Sequence, residues 1–247
     1  MKAILAEPRY FKESISVISD LVNEAKFTAT KEGLNLIAMD PANVAMVVFK
    51  MVSSAFTEYN VPKNVEFAIN LSNLKQILRR VSPNDMIGLE LADNKLRIDL
   101  KGSTSRTFHL PLIEVEERKQ KIPELQFPIS VMTTSQILNN AIEDANVVAD
   151  SLTLIGDQKK LNITAEGDLN KVSIEIPADE ITRIKADNED KVKAKYSVEY
   201  LKKMMGGAKI ADEVEILFNK DYPLKVSYTV TDRLNLTFIL APRVEND

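Results

Sequence analysis

Seven cationic side chains, spaced in a way that repeats along the chain, point to the binding of phosphate groups. They are Lys12, Lys75, Arg79, Arg80, Lys202, Lys203 and Lys209. Lys75 and Lys202 are 127 positions apart, and this separation recurs elsewhere in the sequence. The whole chain is acidic, with 32 Lys and Arg against 36 Asp and Glu. A basic surface confined to part of an acidic protein attracts nucleic-acid phosphates through its local field, whereas the net charge limits indiscriminate binding.

Residues suited to catalysis are few among the 247 residues of the chain. There is no cysteine, the one histidine is His109 in a strand-like stretch, and no glycine-rich phosphate loop is present. The acidic cluster Asp187-Asn188-Glu189-Asp190 lacks the glycine and the distal glutamate of a calcium loop. We therefore expect no cofactor and no resident metal. Because Asp and Glu are plentiful, a carboxylate- and metal-dependent hydrolase or nuclease stays open as an alternative.

The two halves of the chain correspond to each other at one common offset. The pairs separated by 127 residues are Leu34-Asn35-Leu36 with Leu161-Asn162-Ile163, Ile4-Leu5 with Val131-Met132, and Leu74-Lys75 with Leu201-Lys202. Each match is short, but the three occur in the same order with similar elements around them. This agreement favours a duplicated domain over chance similarity.

Two amphipathic helices are predicted in each half to carry the cations. The predicted ranges are 8–26 and 73–81 in the first half and 135–150 and 198–205 in the second. In the first helix, successive apolar residues from Phe11 to Ala25 are 4, 3, 4 and 3 positions apart, which places them on one face. Pro8 suits the first turn of this helix. Thr133 and Gln136 fit a capping box before the third helix, and Gly206-Gly207 offers a stop to the fourth.

Strands of alternating polar and apolar residues are predicted between the helices. Examples are residues 65–69, 96–100, 172–176 and 224–228. The pattern predicts an α+β fold with two duplicated domains of antiparallel sheet, each with two helices covering one sheet face. The predicted domains are 1–113 and 128–247, joined by a connector at 114–127 in which charged residues cluster without apolar periodicity.

Several short motifs, in order along the whole chain, resemble the proliferating cell nuclear antigen family of DNA sliding clamps, particularly its short archaeal members. The motifs are Leu34-Asn35-Leu36-Ile37-Ala38-Met39-Asp40 followed by Val44, Asp20-Leu21-Val22-Asn23-Glu24-Ala25 at the predicted end of the first helix, Ile122-Pro123, Asp221-Tyr222-Pro223-Leu224 and Leu240-Ala241-Pro242. Each motif is weak alone, and their order across a duplicated chain makes the resemblance specific.

The resemblance implies a DNA-clamp fold in which three two-domain subunits assemble into a ring, with helices lining a central hole. The implied function is that of a sliding clamp, a polymerase processivity factor that encircles duplex DNA and tethers replication and repair enzymes. Such a protein is not an enzyme, because phosphate contacts and tethering break no bond. A subunit of a heterotrimeric clamp is the alternative that the sequence leaves open.

The seven cations named above are expected to face DNA, and Lys12 and Arg79 match family positions best. The helix at 135–150 departs from the family because it carries Glu143 and Asp144 but no Lys or Arg. Family subunits join head to tail, so some cations have a second possible role, pairing with these acids across the joint. The residues predicted at that joint are Arg79, Arg80, Arg106, Phe108, Glu143, Asp144, Val172, Ser173 and Ile174.

A peptide-binding pocket beside the connector is also implied by the resemblance. Its predicted residues are Met39, Val44, Met46, Ile122, Pro123, Pro223, Leu240, Ala241 and Pro242. Core packing is the alternative role for Val44, Met46 and Leu240. The implied partners are double-stranded DNA, two further copies of the chain, DNA polymerase, a clamp loader of the replication factor C type, flap endonuclease and DNA ligase. With no membrane-spanning run or export signal in the sequence, the expected location is intracellular: the cytoplasm and nucleoid of an archaeal host, or the nucleus of a eukaryotic one.

Overall fold

A computed structural model describes residues 1–115, 120–187 and 190–243 of the chain. They form two compact units, each built from more than one stretch of sequence. The first unit comprises Met1–Pro41, Val47–Gln120 and Val230–Leu236. The second comprises Ala42–Met46, Lys121–Thr229 and the tail from Thr237.

The first unit contains two helices and two antiparallel sheets. The helices are α1 (Pro8–Ile18) and α2 (Leu71–Leu78). The strands are β1 (Lys2–Leu5), β2 (Glu24–Thr30), β3 (Gly33–Met39), β4 (Ala45–Val52, in this unit from Val47), β5 (Glu58–Asn60), β6 (Val65–Asn70), β7 (Met86–Ala92), β8 (Lys95–Lys101) and β9 (Ser105–Pro111). One sheet has the order β5-β1-β7-β8-β9, and the other runs β4-β3-β2-β6. β9 is therefore an edge strand.

The second unit repeats this arrangement. Its helices are α3 (Ser135–Val148) and α4 (Val198–Met204), and a 3₁₀ turn at Met205–Lys209 follows α4. Its strands are β10 (Ile129–Thr134), β11 (Ser151–Gly156), β12 (Lys160–Glu166), β13 (Lys171–Pro177), β14 (Arg183–Ala186), β15 (Val192–Ser197), β16 (Glu213–Phe218), β17 (Leu224–Val230) and β18 (Leu234–Leu240, in this unit from Thr237). The sheet orders are β13-β12-β11-β15 and β14-β10-β16-β17-β18. The α+β class with two helices per repeat is confirmed.

Helix α1 is shorter than the prediction of 8–26. It ends at Ile18, and Ser19 N donates to Ile15 O at 3.0 Å to close its last turn. Ala25, predicted as the end of the helical stripe, lies in β2 and is buried there. The prediction failed because the buried turn residues Leu21 and Val22 continue the helical spacing of apolar residues by coincidence.

The N-terminal caps of the helices also differ from the prediction. Thr134, not Thr133, caps α3, because its Oγ1 accepts from Ile137 N at 3.3 Å. Thr133 is instead a buried strand residue. Asn70 caps α2 by accepting from Asn73 N at 2.9 Å, so this helix begins two residues before the predicted 73.

The predicted strands at 65–69, 96–100, 172–176 and 224–228 all lie within observed strands. In the second unit, β11 packs against α3 and α4 and β12 packs against α3, and these two strands carry the buried apolar side chains Leu152, Leu154, Leu161 and Ile163. Burial of apolar surface of this kind supplies most of the folding free energy.

The predicted connector follows an anchored residue, Ile113, whose backbone N donates to Ala68 O at 2.9 Å. Residues 120–127 form neither helix nor strand. The charged residues Glu116, Glu117, Arg118 and Lys119, on which part of the connector prediction depends, lie outside the described residues, as do Asn188 and Glu189 of the acidic cluster.

Candidate nucleic-acid and protein interfaces

Arg79 and Arg80 are exposed cations at the end of α2. Both lie directly after the last residue of α2, where the backbone still turns and Arg79 N donates to Lys75 O at 2.9 Å. Within residues 1–115, 120–187 and 190–243, neither side chain forms an ion pair. Both guanidinium groups are therefore available to an anionic partner.

Lys12 and Lys75, which are predicted to face DNA, donate to backbone carbonyl groups of the same unit. Lys12 Nζ donates to Val81 O at 3.3 Å. Lys75 Nζ donates to Ser16 O at 3.1 Å and to Asp20 Oδ1 at 2.6 Å. The Lys75 side chain is only 16% exposed, so it presents little charge to solvent.

In the second unit, the cations of α4 are paired with acids. Lys202 Nζ lies 3.4 Å from Glu143 Oε2 of α3, and Lys203 Nζ donates to Glu199 Oε1 at 2.8 Å. The hydrogen bond and charge of Lys203 hold the pKa of Glu199 below its usual range. These surface pairs leave the ammonium groups partly exposed, and Lys209 follows in the 3₁₀ turn.

Helix α3 presents amides and acids on its outer surface. Asn140 and Asn146 are exposed, and so are Glu143 and Asp144. The acidic charge of Glu143 is partly offset by Lys202, since their side chains lie on neighbouring helices that pack against each other. The departure of α3 from a basic composition is therefore compensated by α4.

The residues predicted at the subunit joint lie on or beside two edge strands. Phe108 is half-buried on β9, and Val172 and Ile174 are half-buried on β13, with Ser173 exposed between them. An edge strand has unpaired backbone N–H and C=O groups that another strand can bind. Each unit thus has an edge strand with apolar side chains that is able to accept a further strand.

Arg106, also predicted at the joint, is used within its own unit. Its Nη1 donates to Arg80 O at 2.9 Å, and its Nη2 donates to the buried carboxylate of Asp85. Asp85 also accepts from Ser82 N at 3.0 Å. The Arg106 guanidinium therefore stabilises the turn after α2.

A cavity of about 300 Å³ lies between α3 and β13. It is lined by apolar residues, among them Ile137, Ile174 and Ile176, and by the acids Asp144, Glu175 and Asp179. Ile174 and Asp144 were predicted from the sequence as interface residues and the others were not, although the alternation along β13 already placed Ile176 on the same face as Ile174. An apolar floor with an acidic rim suits a cationic and apolar partner.

Most residues predicted for the peptide pocket lie in the second unit, and Met39 lies in the first. Val44 and Ala241 are adjacent, because Ala241 N donates to Val44 O at 2.9 Å. Ile122 and Pro123 are exposed, and Pro223, Ala241 and Pro242 are half-buried.

Two of the predicted pocket residues belong to the core. Leu240 is fully buried and Met46 is 8% exposed. Their neighbours on β18 and at the start of β4 are buried as well. Core packing, the alternative that the sequence left open, accounts for them.

A further cavity, of about 420 Å³, was not anticipated from the sequence. It lies between the start of α1 and the turn after α2, and its lining includes Glu7, Arg9, Lys12, Val81 and Pro83.

No helix in the described ranges is long and apolar enough to cross a membrane. No group of three or more His, Asp or Glu residues there is arranged to hold a metal ion.

Two repeated α+β units, each with partly or fully exposed cations on or directly after its second helix, define a protein of the DNA-clamp class. Residues 1–116 match the family model of the proliferating cell nuclear antigen N-terminal domain, and residues 121–243 match that of its C-terminal domain. The chain belongs to the proliferating cell nuclear antigen family of sliding clamps.

Relatives cover nearly the whole chain. The DNA polymerase sliding clamp of Thermococcus fumicolans is 36% identical over 237 residues, which are 96% of this chain and 95% of the relative. The DNA polymerase sliding clamp of Nanoarchaeum equitans is 34% identical over 247 residues, covering 98% of this chain and 99% of the relative.

Solved structures agree with the fold. The crystal structure of the proliferating cell nuclear antigen of Thermococcus kodakaraensis has a TM-score of 0.92 at 28% identity, covering 98% of this chain and 99% of that one. A chain of the PCNA2–PCNA3 complex of Sulfolobus tokodaii has a TM-score of 0.91 at 25% identity, covering 99% of this chain and 100% of that one.

Proposed function

We propose that this chain is a DNA sliding clamp that encircles duplex DNA and holds replication and repair enzymes on it. The observation that carries the proposal is that both units have partly or fully exposed cations on or directly after their second helix, Arg79 and Arg80 in one and Lys202 and Lys203 in the other. Cations on one repeated element provide phosphate contacts without base recognition, as movement along DNA requires.

The ring is proposed to close by pairing of β9 of one subunit with β13 of the next. Both are edge strands with half-buried apolar residues. Charge supports the same pairing, because Arg79 and Arg80 lie near the end of α2 while Asp144, Glu175 and Asp179 line the cavity beside β13. Opposite charges on the two sides of a head-to-tail contact favour the correct register.

Client enzymes are proposed to bind through short peptides near the exposed connector residues Ile122 and Pro123. Apolar anchors on the peptide would contact these residues together with Pro223, Ala241 and Pro242, which stay accessible. The proposed clients are DNA polymerase, flap endonuclease and DNA ligase, with a clamp-loading ATPase opening the ring. Tethering raises the effective concentration of the client at DNA, which is the physical basis of processivity.

We infer that the protein acts without catalysing a reaction of its own and works where chromosomal DNA is, inside the cell. In an archaeal host this is the cytoplasm with its nucleoid. Labelled DNA incubated with magnesium and the pure chain tests the first inference, and cleavage that persists through purification would contradict it.

Topological retention on DNA tests the main proposal. The chain is loaded onto nicked circular duplex by a clamp loader, washed in high salt, and separated from free protein by gel filtration. Retention that disappears when a restriction enzyme linearises the circle is expected, because a ring slides off an end. Equal retention on circles and linear DNA would refute encirclement.

Sedimentation of the pure chain tests the assembly. A mass three times 27.7 kDa is expected of a homotrimer. A chain that stays monomeric alone, and forms a ring only with other clamp proteins, would favour the alternative of a heterotrimer subunit.

A further inference from the structure

Lys75 lies in the middle of α2, beside exposed arginines, yet its ammonium group points at the end of α1. The acceptors are Ser16 O at 3.1 Å and Asp20 Oδ1 at 2.6 Å. Because α1 ends at Ile18, the Ser16 carbonyl is among the last four of the helix, which lack partners within it. A cation at this position also interacts favourably with the helix dipole.

Two side chains outside α2 in turn donate hydrogen bonds to backbone carbonyl groups at its carboxyl end. Lys12 of α1 donates to Val81 O at 3.3 Å, and Arg106 of β9 donates to Arg80 O at 2.9 Å. Both carbonyl groups lie just beyond the last residue of α2. The two helices therefore run antiparallel, and each supplies a lysine to the carboxyl end of the other.

The second unit ties its helices together at the equivalent positions. Lys202 of α4 lies 3.4 Å from Glu143 of α3. Lys202 is 127 positions after Lys75, and Glu143 is 127 positions after Ser16. The same pair of sites thus joins the second helix to the first in both repeats, although a backbone carbonyl is the acceptor in one and a carboxylate in the other.

We propose that Lys75, with Lys12 and Arg106, is a positioning residue that fixes α2 against α1, and that Arg79 and Arg80 make the DNA contacts which this arrangement orients. The proposal rests on the proposed function, since it concerns how the clamp holds DNA. It assigns a different role to Lys75 from that of a direct phosphate ligand. Arg106 donates to the backbone carbonyl of Arg80. The hydrogen bonds that position α2 therefore include one to a residue that is proposed to bind DNA.

The salt dependence of DNA binding separates positioning from contact. Binding of a short duplex to the full chain is measured over a series of salt concentrations for Lys75→Met, Lys75→Arg and Lys2→Met. Lys2 is the matched control, because it is a surface lysine of β1 that is paired with Glu58 at 3.1 Å. A direct phosphate contact contributes about 0.9 to the slope of log affinity against log salt.

We expect Lys75→Met to lower affinity about three- to tenfold, as for a lost charge-assisted hydrogen bond, without changing this slope. Lys75→Arg should restore most of the affinity, and Lys2→Met should have no effect. In a background of Arg79→Ala and Arg80→Ala, Lys75→Met should cause no further loss. A slope lower by about 0.9, or a loss that adds fully to that background, would overturn the proposal.

Hydrogen exchange distinguishes failure of this proposal from failure of the clamp function. Lys75→Met should accelerate amide exchange in the last turn of α1, and the double arginine variant should not. Absence of duplex binding by the unmodified chain at low salt would contradict the proposed function. The comparison of amide exchange rates would still support or refute the role of Lys75 in fixing α2 against α1.

Discussion

Removal of the two exposed arginines, Arg79→Ala with Arg80→Ala, should weaken DNA binding in a way that depends strongly on salt. Neither side chain forms an ion pair within the described ranges, and both are exposed. Their removal therefore breaks no ion pair among the described residues of the subunit. Because the same arginines are also proposed to favour the subunit joint, sedimentation must first show that the variant is still a trimer. The expected loss in that trimer is the loss of phosphate contacts. The assay is titration of a short fluorescent duplex with the trimer at several salt concentrations.

The size of the effect follows from counterion release. Each phosphate contact contributes about 0.9 to the slope of log affinity against log salt. A subunit whose two arginines both contact the duplex thus loses about 1.8 from the slope. Between 50 and 200 mM salt, the advantage of the unmodified clamp over the variant should shrink about 12-fold for each such subunit.

A charge-matched control is available in the same unit. Lys2 and Arg97 are surface cations of β1 and β8, with side chains 51% and 45% exposed. Replacing both by alanine removes the same net charge without touching a helix. If this control lowers the slope as much as the arginine variant does, the effect is one of net charge, and the assignment of Arg79 and Arg80 is refuted.

Three further predictions concern stability. Gly207→Ala should lower the free energy of unfolding by about 1–3 kcal/mol, because the new Cβ would lie 2.3 Å from the buried Tyr228 ring; a urea midpoint equal to that of the unmodified chain would contradict this. Asn70→Ala should lower the free energy of unfolding by about 1 kcal/mol, because α2 loses its N-terminal cap. Asn73→Ala is its control, because it keeps the backbone N–H that donates to Asn70. The pKa of Asp157 is lowered from 3.8, chiefly because its carboxylate accepts a hydrogen bond from the backbone N–H of Lys159. The carboxylate of Asp157 should therefore stabilise the fold above pH 3.8, and this stabilisation should be lost as the pH falls through the lower pKa of the folded state. An NMR titration in which the pKa of the Asp157 carboxyl is not lowered would refute this prediction.

The strands and the duplication could be predicted from the sequence because both depend on local pattern. Alternation along residues 172–176 places Val172 and Ile174 on one face wherever the strand pairs. Likewise, a common offset between the halves is a property of the chain alone. These two signals led to the α+β class and to the repeated basic elements.

The end of α1 shows where local pattern fails. Spacing of apolar residues through Val22 to Ala25 fits a helix, but these residues are buried by a turn and by β2. Only pairing of β2 with β3 and β6 decides that the chain is extended there. Tertiary pairing overrides a weak helical preference because it satisfies every backbone group of the segment.

The sequence by itself therefore determined which elements carry charge, and it showed that these elements occur once in each half of the chain. What only the tertiary structure decided is what each charge does. Lys75 and Arg79 are four positions apart on one helix, yet one binds the end of α1 and the other is exposed. The reason is that a long cationic side chain is directed by the nearest carboxylates and carbonyl groups, and these come from residues 59 and 55 positions away in the sequence.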